Sequence, residues 1–157
     1  MHPSRNCTKT LYGVPTEISL QYYGDSTLIL VTQVGKVGNL IQVSLPATIP
    51  VTPSAPDTTE PNAPILPPPP IAIQLTPLFG SAPSDRIQTL HNLYASQIAT
   101  IIWLAETENP LQVVRKNVVV GIALRRSDQA GELGLTEMER QTFYGAMSAI
   151  QELLRHA

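Results

Sequence analysis

The sequence predicts an α+β fold, a largely antiparallel six-stranded β-sheet or β-sandwich with two packed helices. Strand-like segments precede helical ones along the chain, which is the order expected when the two kinds of element segregate. The early segments alternate apolar and polar residues or run apolar over a short stretch, while two later segments repeat apolar residues every three or four positions. The 157 residues suit a single domain of ordinary size, so we expect one domain over 1–157.

Four strand-like segments occupy the first part of the chain. Residues 7–12 form the first, and the Gly-Val-Pro step at 13–15 is expected to end it because proline removes a ladder donor. Residues 16–23 alternate apolar and polar side chains, as a half-buried strand does. Residues 27–34 are nearly all apolar, which predicts burial on both faces, and residues 39–45 alternate again. The short turns between these segments predict an antiparallel meander.

A proline-rich loop interrupts the domain at about residues 47–70. Twelve of the 15 prolines lie between Pro46 and Pro83, and four are consecutive at 67–70. Proline fits neither a helix interior nor a central strand, and consecutive prolines favour the extended polyproline II conformation. The loop is interpreted as a stiff surface insertion. The alternative is that its polyproline run is a ligand for an aromatic-lined groove of the SH3 or WW type.

Two helices and two further strands follow the loop. Residues 71–79 form a strand, and Ser84 is a good N-cap for a helix over residues 84–105. Residues 118–124 read as a strand that is buried on both faces. Thr136 begins a Thr-x-x-Glu capping box, after which apolar residues at helical spacing predict a last helix.

Composition excludes several classes of function. Ten Lys and Arg against 12 Asp and Glu give a net charge of −2, which argues against a nucleic-acid binder and against a polybasic membrane-surface segment. The single cysteine, Cys7, excludes an intramolecular disulfide and a cysteine-cluster metal site. No apolar run is long enough to span a bilayer, and the N-terminus lacks the apolar core of a secretory signal. We expect a soluble protein of the cytoplasm, with the nucleus as a second location.

No residue pattern indicates catalysis. The three histidines are scattered at His2, His91 and His156, and none is paired with a Ser or Cys in a nucleophile motif. His91 lies at the edge of a helical apolar stripe, where a packed structural residue is the usual case. Capping and macrodipole effects explain the carboxylate pair Glu137 and Glu139. The sequence therefore predicts a protein that is not an enzyme, with no catalytic, cofactor-binding or metal-binding residues.

The Gly-Lys-Val-Gly segment at 35–38 is the best candidate for a contact with another protein. It matches the GxxG loop of KH domains in letters only, because strand-like segments and not helices flank it. It is interpreted as a hairpin turn in which glycines supply positive φ and Lys36 stands at the tip. The candidate partner-binding residues are Gln33, Gly35, Lys36, Val37, Gly38 and Asn39.

Two pairs of cations bracket the strand predicted at 118–124, namely Arg115-Lys116 and Arg125-Arg126. They could meet an acidic partner surface. The alternative is that they are solvated strand ends, and this interpretation is favoured.

Two segments resemble the proteasome assembly chaperone 3 family. They are Tyr-Gly-Val-Pro-Thr at 12–16 and Leu-Ile-Leu-Val-Thr-Gln-Val-Gly-Lys-Val-Gly at 28–38. The family has a Gly-Val-Pro-Thr step that leads into a strand, followed by a Val-Thr-Gln-aromatic-Gly-Lys-hydrophobic-Gly hairpin. Val34 stands here where the aromatic residue is often found. The specific match covers residues 12–45, and the order of the later elements also agrees.

The resemblance implies a single proteasome-assembly-chaperone domain and a non-catalytic chaperone without cofactors. Such a protein would pair with a related small chaperone, similar to proteasome assembly chaperone 4, and would also be able to form homodimers. The pair would bind α-type subunits while the α-ring of the 20S core particle forms, and would leave before maturation. The alternative remains an adaptor that presents Pro67–Pro70 to an SH3- or WW-type domain.

Overall fold

The structure is a computed structural model that describes residues 4–33, 38–53, 66–82, 84–107, 115–124 and 136–155. Four strands come first, followed by a fifth strand, a helix, a sixth strand and a second helix, which is the order that the sequence predicts. The fold class α+β is confirmed. The elements are β1 (Ser4–Leu11), β2 (Val14–Tyr22), β3 (Ser26–Thr32), β4 (Asn39–Ser44), β5 (Gln74–Phe79), α1 (Asp85–Thr107), β6 (Asn117–Ala123) and α2 (Glu137–Arg155).

The strands form one open six-stranded sheet in the order β1-β2-β3-β6-β4-β5. All neighbours are antiparallel except β3 and β6, which are parallel. The predicted meander is therefore wrong at one step, because β6 lies between β3 and β4. The nearly continuous apolar sequence of β6 places apolar side chains on both faces of the sheet at this central position.

The turn between β1 and β2 is tighter than the sequence suggests. Tyr12 and Gly13 have φ values of 49° and 77°, as in a two-residue hairpin turn. Val14 and Pro15 consequently belong to β2 instead of ending a strand. Pro15 is tolerated because it faces Thr10 in a pair next to the hydrogen-bonded pair at the turn, so its nitrogen points away from β1.

Both helices cover the same face of the sheet. α1 contacts β4, β5 and β6, whereas α2 contacts β1 and β2. Alternate strand residues point into the core between them, and the largest fully buried side chains include Trp103 and Tyr94. Trp103 donates its indole N–H to the carbonyl of Lys116 at 2.7 Å, and Tyr94 packs edge-on against Phe143 with ring centroids 5.1 Å apart. The apolar residues of the four central strands that are at most 1% exposed are Ile18, Leu20, Ile29, Val31, Ile41, Val43, Val118, Val120 and Ile122.

The predicted helix starts are confirmed by their hydrogen bonds. The Ser84 hydroxyl accepts from the amide of Ile87 at 3.3 Å. At α2, the Thr136 hydroxyl accepts from the amide of Glu139 at 3.1 Å, and the Glu139 carboxylate accepts from the amide of Thr136 at 3.0 Å. This reciprocal pair is a capping box, which can be read from four residues of sequence because its contacts are local.

Both described ends of the proline-rich loop are packed on the domain. Arg115 donates to the carbonyls of Pro46 and Ile49 at 2.7 and 2.8 Å. Pro67 is buried, and its carbonyl accepts from the side-chain amide of Gln97 on α1 at 2.8 Å. Residues 71 and 72 form a turn, so β5 begins later than predicted. Residues 54–65 lie outside the described residues.

The described polyproline run does not support the adaptor alternative. Pro68 and Pro69 are exposed, but Pro67 is buried against α1, and neighbouring Leu66 packs on the core. A groove ligand presents its prolines to a partner domain. Here the start of the run is committed to contacts within the chain.

Candidate protein-binding surface

Residues 33–38, the connection between β3 and β4, do not form a hairpin between neighbouring strands, because β6 lies between β3 and β4 in the sheet. The amide of Gln33 donates to the carbonyl of Ala123, the last residue of β6, at 2.7 Å. Gly35, Lys36 and Val37 lie outside the described residues, so their role in partner binding stays a prediction. Gln33, Gly38 and Asn39 are described, and they show how the two ends of the connection are held.

Polar side chains fix both ends of this connection. Gln33 donates its side-chain amide to the Thr16 hydroxyl at 3.0 Å. Asn39 is buried, and its amide nitrogen lies 3.3 Å from Oε1 of Gln88 and 3.1 Å from Nδ1 of His91 on α1. Burial lowers the pKa of His91, which favours the neutral ring whose Nδ1 accepts from Asn39. Asn39 therefore ties the start of β4 to α1 from inside the protein.

Two glycines allow the backbones to meet at the end of the connection. Gly80, just after β5, has a φ of +76°. A methyl group on its Cα would lie 2.0 Å from the carbonyl oxygen of Gly38, and one on Gly38 would lie 2.9 Å from the carbonyl oxygen of Ile122. Neither position has room for a side chain. Gly38 is thus clamped between the end of β5 and the end of β6.

The sheet face opposite the helices, here called the open face, carries a band of apolar side chains. Leu28 lies beside Val119 across the β3–β6 pair, while Leu30 and Leu40 flank Gly121 from either side. Phe79 faces Leu40 at the edge of the sheet and is 67% exposed. The other apolar residues of the band are half-buried, although no described element covers them. We call the apolar band the set Leu28, Leu30, Leu40, Val119 and Phe79.

Charged side chains are nearly absent from this face. Strand residues alternate between faces, and among the described strand residues that point to the open face only Glu17 is charged. Ser19, Gln21 and Gln42 surround the band with short or uncharged polar groups. When one face of a sheet is exposed to water, the strand residues that point to that face are normally polar. An apolar band with an uncharged polar rim is instead typical of a protein interface.

The sequence indicates that two strands are apolar on both faces, but it does not indicate that their side chains form one surface. The apolar stretches at 27–34 and 118–124 predict burial on both faces, and the structure buries one face of each under the helices. On the other face Leu28, Leu30 and Val119 remain half-buried. The described part of the chain supplies no second layer, so the two-sided apolar pattern points to a layer from outside it.

The cations that precede β6 are used within the chain. Arg115 lies over the Trp103 ring, 5.7 Å from its centroid, in addition to its two carbonyl contacts. Lys116 donates from Nζ to the carbonyl of Tyr23 at 2.9 Å. These contacts join the loop and the β2–β3 turn to the start of β6. Arg125 and Arg126 lie outside the described residues.

Among the residues that the structure describes, no group of three His, Cys, Asp or Glu side chains is placed to hold a metal ion. Neither described helix combines the length and the apolar character needed to cross a membrane.

Comparisons with known proteins give a likeness in structure and none in sequence. No known protein-family model matches the sequence, and no curated protein matches it significantly. Among solved structures, the chain is similar to a chain in the crystal structure of a novel chaperone complex for yeast 20S proteasome assembly. The two are 11% identical, the match covers 98% of this chain and 97% of that chain, and the TM-score is 0.46. A likeness at this score and identity assigns neither a partner nor an activity.

Proposed function

We propose that the chain is a non-catalytic chaperone that promotes α-ring assembly of the 20S proteasome core particle. It pairs with a related small chaperone, similar to proteasome assembly chaperone 4, and the pair binds α-type subunits. The observation that carries the pairing is the apolar band on an open face with a single charged strand residue. The resemblance at residues 12–16 and 28–38 supports the class of partner.

Because the open face is the face of a β-sheet, another sheet is the occupant that suits it best. Two twisted sheets pack face to face about 10 Å apart, with strand directions within about 30° of each other. A partner sheet of the same fold would place its own apolar band over Leu30, Gly121 and Leu40. Each Å² of apolar surface covered contributes about 25 cal/mol before the costs of association are subtracted. The resulting β-sandwich would be completed between two chains.

The proposed mechanism needs binding energy alone. A rigid pair that binds one face of an α-type subunit favours the subunit arrangement compatible with that complex, by as much as its affinities for the alternatives differ. Release follows when later subunits compete for the same surface. No nucleotide is required, because no step is driven against its equilibrium.

The first test is to tag the full-length protein in its own cells and identify co-purifying proteins by mass spectrometry. We expect a second small chaperone and a subset of α-type subunits, without the mature proteolytic particle. Recovery of the protein without any proteasome subunit would contradict the proposal. So would failure of the purified pair to bind any free α-type subunit.

The second test addresses the surface. Leu30→Glu places a charge in the middle of the apolar band, and Leu93→Glu makes the same change at a 37% exposed position on α1, on the other side of the sheet. With the co-purified small chaperone, light scattering should show that Leu30→Glu abolishes the heterodimer and that Leu93→Glu keeps it. An intact heterodimer in the folded Leu30→Glu variant would exclude the open face as the pairing surface.

A further inference from the structure

We propose that the outer edge of β1 is a strand-addition site that accepts an extended segment with acidic side chains from another protein. β1 ends the sheet, and of the residues that the structure describes none forms a strand beyond it. The site is separate from the apolar band, which lies on the face of the central strands and β5. The proposal therefore stands apart from the proposed chaperone function.

The two edges of the sheet are built differently. β1 has eight residues, and all eight pair with β2 in unbroken register from Ser4 to Leu11. β5, at the other edge, has six residues, contains Pro77 and is bulged opposite Leu40 and Ile41. Proline and bulges are the usual devices that prevent an edge strand from pairing further. β5 has both, and β1 has neither.

The register identifies the main-chain groups that β1 offers. Leu11 and Val14 flank the two-residue turn, so they form a hydrogen-bonded pair, and such pairs alternate along an antiparallel ladder. The odd-numbered residues of β1 thus direct their amides and carbonyls towards β2. The even-numbered residues direct theirs outwards, and their side chains are all exposed. These residues are Ser4, Asn6, Thr8 and Thr10.

The charged side chains of β1 contact α2, so they do not block the addition of a strand at the edge. Lys9 Nζ lies 3.3 Å from a carboxylate oxygen of Glu152. Arg5 donates to the carbonyl of Leu153 at 2.9 Å and lies 5.9 Å from the centre of the Tyr22 ring. A lysine on an edge strand normally discourages pairing. Here both cations lean over the helix side of the sheet and leave the outward amides accessible.

The same two cations define the preferred occupant. Arg5 and Lys9 lie on the same side of β1, with Cys7 between them. A strand added at the edge would set its side chains directly beside this row, where opposite charges stabilise a cross-strand pair and like charges destabilise it. The preferred segment therefore has acidic residues opposite Arg5 and Lys9 and an apolar residue opposite Cys7. A second copy of β1 would instead bring two further cations to it.

The test uses the full-length protein and a capped peptide, Thr-Glu-Thr-Val-Thr-Glu-Thr, with a control peptide in which lysine replaces glutamate. Titration followed by amide NMR should shift the amides of the even-numbered β1 residues and slow their hydrogen exchange. The odd-numbered amides, already bonded to β2, should change little. The lysine peptide should bind at least about tenfold more weakly, since the charge-assisted contacts are reversed in sign.

Matched variants isolate the outward amides. Thr8→Pro removes an outward N–H without breaking the hydrogen bonds to β2. It should weaken binding of the acidic peptide by about tenfold or more. Thr8→Val keeps the amide and should bind within about twofold of the parent. Asn6→Pro removes another outward amide and replaces Thr8→Pro if that variant does not fold. The Leu30→Glu variant should bind the peptide normally, which separates this site from the pairing surface.

Three outcomes would overturn the proposal. The first is no shift of β1 amides at millimolar acidic peptide. The second is equal binding of the acidic and lysine peptides. The third is self-association of the parent protein that Thr8→Pro abolishes, which would identify a second copy as the occupant of the edge.

Discussion

Arg86 in the first turn of α1 and Glu139 in the first turn of α2 are joined by two hydrogen bonds, one of them 3.0 Å long from Nη1 to Oε2. The same carboxylate accepts the amide of Thr136 and so closes the cap of α2. One side chain therefore ties the starts of the two helices together. Glu139 is almost fully buried while Arg86 is about one-third exposed, so removing either partner leaves a poorly solvated charge.

Replacement of Glu139 should separate its two roles. Glu139→Ala removes the ion pair and the carboxylate half of the capping box, and should lower the free energy of unfolding by about 2–3 kcal/mol. Glu139→Gln keeps an oxygen for the Thr136 amide but loses the charge, and should cost less. Urea denaturation of the three proteins measures the difference. Equal losses in the two variants would show that the charge matters and the cap does not.

The same carboxylate should make stability depend on acid. Burial by itself raises the pKa of Glu139, but the hydrogen bonds from Arg86 and Thr136 outweigh it and hold the pKa below the ordinary 4.5. As the pH falls below 4.5, the unfolded chain therefore takes up a proton at this carboxylate before the folded protein does. The stabilisation is present above pH 4.5 and is lost as the pH falls through the lowered pKa. As the pH is lowered, the urea midpoint of Glu139→Gln should decrease less steeply than that of the parent protein.

His91 should produce a second pH dependence at higher pH. Burial lowers its pKa from 6.5, so the unfolded chain takes up a proton before the folded protein does. Stability should decrease as the pH falls below 6.5, where protonation also removes the Nδ1 acceptor used by Asn39. His91→Gln should flatten the decrease between about pH 6.5 and about pH 5.5, a window in which Glu139 stays ionised. An unchanged slope would assign the effect to another group.

Gly80 should tolerate no side chain. In Gly80→Ala the new methyl group would meet the carbonyl of Gly38, and the positive φ would be strained as well, so we expect a loss of more than about 2 kcal/mol. Gly24→Ala is the control, because nothing lies within 4 Å of the added carbon. It should change stability by less than about 0.5 kcal/mol. Thermal unfolding of both variants tests the clamp directly.

Lys36 carries the remaining prediction about partner contacts. Lys36→Glu should weaken the complex with the partner chaperone or with an α-type subunit, because a reversed charge opposes an acidic partner surface. Lys36→Gln removes the charge without reversing it and should have a smaller effect. Circular dichroism should show both variants folded with unchanged melting temperatures. Unaltered binding by Lys36→Glu would remove this lysine from the interface.

Local features of this fold follow from the sequence, and its long-range pairings do not. The caps at Ser84 and Thr136 involve residues within one helical turn, so a short motif predicts them. The number and order of the elements follow from residue periodicity in the same way. Periodicity gives each strand its faces but not its neighbours, and the insertion of β6 between β3 and β4 could not be read from it.

The candidate surface divides along the same line. Apolar residues on both faces of β3 and β6 were visible in the sequence, but the band they form with Leu40 and Phe79 depends on strand order. The sequence predicts Asn39 as a contact residue because it lies next to a glycine-rich segment. The structure buries its side chain against Gln88 and His91, which are far away in sequence.

The central position of β6 has a consequence for biosynthesis. Lys116, immediately before β6, lies 93 residues from Tyr23, whose carbonyl it binds. During translation, β3 and β4 therefore emerge from the ribosome before β6, the strand that pairs with both of them. The nascent chain exposes two unpaired inner edges until translation supplies β6, and non-local pairings of this kind form slowly and are open to mispairing. This protein would itself need protection during its synthesis.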